Sequence, residues 1–187
     1  MSLPSFPKEW MKIPIKGLSR ASRWNANDKS AGSTFISAAS KYCSATCTVY
    51  HMDVDAKGNI WFDFLGEAAG LGEVKNPTTN PSISVVFPEG MSGQPGGVYI
   101  NDRTQILNLV DETSRMIYRY HLPVKTHSKP FQTLGPTDKD LWGEGQPDTG
   151  GFNRDDTKVA LGDEFGWLDI GTVATNSWKV ADKTSSP

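Results

Sequence analysis

The chain has 187 residues, a formal charge of −2 and a sequence pI near 5.9. That length suits one domain, and a globular chain of this size buries roughly 70% of the surface its unfolded form exposes, so the core needs neither disulfide nor metal. The slight acidity and the scattered Lys and Arg exclude a surface built to neutralise phosphate backbones, and no nucleic-acid partner is expected.

No run of about 18 apolar residues is present, so no membrane-spanning segment is expected. The opening, residues 1–16, carries Pro4, Pro7 and Pro14 and no apolar signal core, and it reads as an irregular arm anchored by Phe6 and Trp10. Ser33 to Ser40 is small and polar and suits a short helix or a strand. Cys43 to Met52 is rich in Thr, Val and Tyr and reads as a strand. In that conformation the α-carbons of Cys43 and Cys47 lie roughly 13 Å apart. A disulfide needs less than about 7 Å. Free thiols and a reducing, cytoplasmic compartment are therefore expected.

Asp53-Val-Asp-Ala-Lys-Gly58 reads as a turn and Asn59 to Leu65 as the second strand of a hairpin. The D-x-D-x-x-G spacing is suggestive of a calcium loop. However, Lys57 stands where an oxygen ligand is usual and Phe64 where the bidentate Glu is needed, so a plain hairpin is preferred. Glu67 to Val74 is expected to form one or two helical turns, closed by Pro77 and Pro81. Strands are expected at Ser82 to Phe87, from Gly97 to Ile100 and at Gln105 to Val110, with Pro88 to Gly97 as a loop. Arg115 to Leu122 suits a strand or a helix face. A long polar loop is expected over about 123–158. Short strands follow at Val159 to Leu161, Gly166 to Gly171 and Asn176 to Val180, before a frayed tail at 181–187. No internal repeat is visible. The whole reads as a single, mainly β domain: an antiparallel β-barrel or sandwich with one or two short helices.

Residues with chemistry are few. His51, His121 and His127 are the three histidines, and His51, inside a strand, reads as a packed, hydrogen-bonded imidazole. No G-x-S-x-G, H-E-x-x-H, P-loop or G-x-G-x-x-G motif occurs. The tryptophans read mainly as core, but Trp142, in Leu141-Trp-Gly-Glu-Gly145 of the polar loop, is a candidate ligand-binding aromatic.

From Met52 to Leu109 the order of pieces resembles the FMN-binding split-barrel, or pyridoxamine 5′-phosphate oxidase-like, family, and best its general-stress branch. The carrying segments are Asp55-Ala-Lys-Gly-Asn-Ile-Trp-Phe-Asp-Phe64, Asn80-Pro-Ser-Ile-Ser-Val-Val-Phe87 and Val98 to Leu109, with Trp178 in a closing strand. The resemblance implies an FMN-dependent oxidoreductase-like protein, a homodimer, with Phe62, Asp63 and Phe64 lining the flavin and Lys75 meeting its phosphate. The sequence departs from the family at Phe64, Gly72 and Glu73, where Thr, Ser and Lys would be expected. The rival expectation is a non-enzymatic β-sandwich that binds a small molecule or carbohydrate, or serves as a structural or assembly subunit. A third, a hydrolase using the stretch from His121 to Glu144, has no motif behind it.

Overall fold

A computed structural model describes residues 47–66, 69–77, 80, 82–91, 93–136, 147–163 and 166–183. The strands are β1 (Cys47–Val54), β2 (Ile60–Gly66), β3 (Gly70–Lys75), β4 (Ser82–Val86), β5 (Pro95–Ile100), β6 (Ile106–Asp111), β7 (Met116–His121), β8 (Gln132–Leu134), β9 (Pro147–Phe152), β10 (Lys158–Asp163), β11 (Trp167–Thr172) and β12 (Ser177–Lys183). They form three separate sheets of four strands, each a consecutive antiparallel meander: β1 to β4, β5 to β8 and β9 to β12. The mainly β expectation stands. None of the sheets closes into a barrel, and no helix occurs among the described residues.

The sheets stack face to face in series. Sheet 2 is central, and the two-residue alternation of its strands sends side chains to both neighbours. Val98, Ile100, Leu107, Leu109 and Tyr120 share a buried cluster with Trp61 and Leu71 of sheet 1. Val110, Ile117 and Leu134 share another with Val159 and Leu161 of sheet 3. The first strands lie side by side, β1 against β5 and β5 against β9. Consecutive four-stranded meanders that stack on their faces, with first strands neighbouring, are arranged as the blades of a β-propeller are.

A repeat invisible as sequence identity is plain in the backbone. Each turn from first to second strand opens on an Asx residue: Asp55, Asn101 and Asn153. The Asp55 carboxylate accepts N–H groups of Lys57 and Asn59, both at 2.9 Å. Asn101 Oδ1 accepts from Arg103 and Thr104 at 3.0 and 3.1 Å, and Asn153 Oδ1 from Thr157 and Lys158 at 2.8 Å. Short oxygen-bearing side chains bond the backbone two to five residues on, which is why Asp and Asn occupy these positions while the residues between differ. The Asp55 carboxylate also accepts Asn59 Nδ2 and the Trp61 indole N–H, at 2.9 and 3.3 Å. Burial pushes this carboxyl up, but the bonds from Asn59, Trp61 and Lys57 outweigh it and hold it below the usual range. The acidic turn is thus a structural hairpin.

Several expectations need correction. The stretch Glu67 to Val74, expected to form helical turns, is strand from Gly70 onward, as part of β3. A Cβ at Gly72 would stand 2.0 Å from the Phe62 ring, so glycine there admits the ring across the β2–β3 pair rather than breaking a helix. The ambiguous 115–122 segment is strand β7, its Ile117 and Tyr120 buried toward opposite neighbours. The expected loop over 123–158 contains β8 and β9. The arm at 1–16, the 33–40 segment, Cys43 and most of the 181–187 tail lie outside the described residues.

Candidate functional site

The first strands bring polar groups together along the seam between the sheets. On β1 the pairing register slips between Val49 and Met52, so Tyr50 and His51 both face Asp63 of β2. That is a β-bulge, a device that re-aims side chains and recurs near functional sites. Asp63 is fully buried, and its carboxylate accepts the His51 backbone N–H at 2.6 Å. Its second oxygen lies 3.6 Å from His51 Nδ1, within reach of a charge–charge contact. Burial raises the Asp63 pKa, and the hydrogen bonds and charge of His51 oppose that shift without cancelling it. The buried acid therefore relies on His51 for most of its relief.

Around this pair the seam is tied across sheets. Asp53 Oδ2 accepts the Ile100 N–H at 2.7 Å, joining β1 to β5. The Tyr99 hydroxyl accepts the Gly150 N–H at 2.8 Å, joining β5 to β9. Tyr99 also stands beside His51, with ring centroids 6.3 Å apart. Glycine permits the close approach: a Cβ at Gly96 would stand 2.5 Å from the Pro147 carbonyl oxygen. Tyr50 and Met52 flank His51 with 47% and 53% of their surface exposed.

Phe62 and Phe64, expected beside a flavin, are fully buried and pack with Ile60, Val74, Val49 and Val54 on the face of sheet 1 away from sheet 2. Asp63 points to the other face, between sheets 1 and 2, because successive strand residues alternate. Lys75 is exposed and pairs with Glu73 at 3.3 Å. The four residues are thus split between the two faces of sheet 1, with Lys75 at the far end of β3 from Asp63, and the structure does not gather them. Trp142 lies outside the described residues. His121 stacks on Phe131 at 4.2 Å, and the His127 N–H bonds the Phe87 carbonyl at 2.9 Å, so the two serve different contacts. His51 was legible as a hydrogen-bonded strand histidine. Its tie to Asp63 was not, although an Asp inside the run Trp61-Phe-Asp-Phe64 marks a buried carboxylate that needs a partner.

No family model and no curated protein matches the chain. Among solved structures, the chain is similar to a candidate 6-phosphogluconolactonase from Bacteroides uniformis, with TM-score 0.50 and 15% identity, over 73% of this chain and 40% of that one. A second, a protein of unknown function from Bacteroides caccae, has TM-score 0.48 and 13% identity over 75% of this chain and 47% of that one. The chain spans less than half the length of either. At such identity the first likeness bears on fold alone, and the second carries no argument. The resemblance to the FMN split-barrel family is overturned. Its segment, Met52 to Leu109, is divided between two sheets: β1 to β4 hydrogen-bond to one another and β5 and β6 belong to the next. A split barrel would join these strands in one closed sheet; what is similar is the strand-and-turn vocabulary, not the pairing.

Proposed function

We propose that the chain is a non-enzymatic assembly module whose stack of sheets is extended by a sheet of a second copy. The observation that carries this reading is the outer face of sheet 3. Sheet 2 buries both faces, whereas the register places Gly151, Ala160, Gly162, Leu168 and Ile170 together on the side of sheet 3 away from sheet 2, beside Lys158, Thr172 and Lys179. Leu168 is 39% exposed there, and a Cβ at Gly151 would meet nothing within 4 Å. Small and aliphatic residues suit another sheet packed about 10 Å away, as sheets 1 and 3 pack on sheet 2. The polar groups of the seam serve sheet-to-sheet ties, consistent with a scaffold. The flavin reading lost its support with the split-barrel resemblance, and the carbohydrate reading rests on Trp142, outside the described residues.

Light scattering over a concentration series tests this. The wild-type chain is expected to self-associate. Leu168→Lys, which would bury a charge in the new interface, is expected to weaken association at least ~10-fold with circular dichroism and melting midpoint unchanged. A wild-type chain that stays monomeric at all concentrations sinks the reading.

A further inference from the structure

We propose that the end of sheet 3 carrying Asp163 and Asp169 is a proton-operated latch, closed when the buried Asp169 carboxyl holds a proton and loosened when it loses it. The inference does not depend on the assembly reading, since Asp169 faces sheet 2 and the outer face is the other side.

Both strands are irregular at this end. The β10–β9 register shifts between Gly162 and Asp163, and the β11–β12 register between Leu168 and Asp169. Bulges leave ladder groups unpaired and make an end easier to open. Asp169 is 2% exposed, opposite Leu161 on β10 and Val180 on β12. Its Oδ1 is buried with no hydrogen-bond partner. Asp163 uses Oδ1 to accept the Trp167 N–H at 2.8 Å, closing the tight β10–β11 turn.

Among the described residues, the buried cation between sheets 2 and 3, Arg119, is engaged by Asn108, Gln132 and Asp156. Lys179 of β12 pairs with Ile170 and belongs to the outer face. From sheet 2, the Tyr99 hydroxyl bonds Gly150 of β9. Glu112 and the Pro147 carbonyl both lie beside Gly96, and Pro147 pairs with Asp163; this third acid accepts from Gln94 Nε2. Burial first, and the Asp163 charge second, push Asp169 up to about 6 from an ordinary 3.8.

The direction follows from linkage. When the end opens, Asp169 regains water and an ordinary carboxylate affinity, so the closed form binds the proton more tightly. Closure is complete below about pH 4, weakens roughly tenfold per pH unit up to about pH 6, and is weakest and constant above that.

Amide hydrogen exchange at several pH values from 4 to 7.5, corrected for intrinsic rates, tests the latch. Between pH 4 and 6.5 the opening of amides in 158–163 and 167–172 is expected to rise by up to ~100-fold relative to 106–111 in sheet 2. Asp169→Asn should keep these amides protected at every pH and raise the melting midpoint at pH 7.5. Asp163→Asn, which keeps the oxygen for Trp167, should leave a smaller pH response. An identical pH dependence in wild type and Asp169→Asn overturns the proposal. So does recovery of protection at pH 7.5 on adding millimolar Ca²⁺, which would make the acids a cation site.

Discussion

Trp61→Ala is expected to lower stability by about 3–5 kcal/mol in denaturant unfolding, the range for truncating a buried aromatic. Trp61 has no exposed surface and lies between sheets 1 and 2, in the cluster with Leu71, Val98, Ile100, Leu107 and Leu109. Its loss leaves a cavity that two opposed sheets cannot readily collapse. It also removes the indole N–H from Asp55, whose carboxylate organises the β1–β2 turn. Trp61→Phe keeps most of the ring and loses only that donor, so its cost should be clearly smaller. A loss below about 1 kcal/mol for Trp61→Ala would mean that sheets 1 and 2 do not share this core.

Arg119→Met should cost about 3–5 kcal/mol, because removing one partner of a buried pair strands the other charge. Arg119 is 2% exposed and stands on β7 at the interface of sheets 2 and 3. Its guanidinium donates to Asn108 Oδ1 at 3.0 Å, to Gln132 and to Asp156, which belongs to the β9–β10 turn. The Phe131 and Phe152 rings lie 5.3 and 5.1 Å from its Cζ. The clamp therefore joins the two sheets through one side chain. Asp156→Asn in the Arg119→Met background should cost less than it does alone, with a coupling of roughly 1–3 kcal/mol. Additive losses would show that the two residues act independently.

The sequence made the strands legible where residues of high β-propensity met turn chemistry. Ile60 to Leu65, Ser82 to Val86 and Ile106 to Val110 carry Ile, Val and aromatics between Gly, Pro, Asn or Asp, and all lie in strands. The strand β9 was not legible, because Pro147-Asp-Thr-Gly-Gly-Phe152 has almost none of that vocabulary. Its glycine answers crowding instead: a Cβ at Gly150 would stand 2.6 Å from Leu161 Cδ2. β3 hid for the same reason, its glycines set against Phe62 and Phe64. Sheet membership was hidden more deeply. The connection from Val86 to Pro95 leads to a new sheet, and nothing local distinguishes it from a hairpin loop. The bulge that sets His51 against Asp63 depends on register, which single-strand patterns do not carry.

The most direct test of the assembly reading is an isotope-filtered NOE spectrum on an equal mixture of labelled and unlabelled chains. Packing of one chain's outer sheet 3 face on a second copy predicts intermolecular NOEs to the Leu168 and Ile170 methyl groups. Leu107 and Leu109, fully buried in the cluster between sheets 1 and 2, are the internal reference and should show intramolecular NOEs alone. A spectrum without intermolecular NOEs to Leu168 and Ile170, at concentrations where the chain self-associates, would contradict the account.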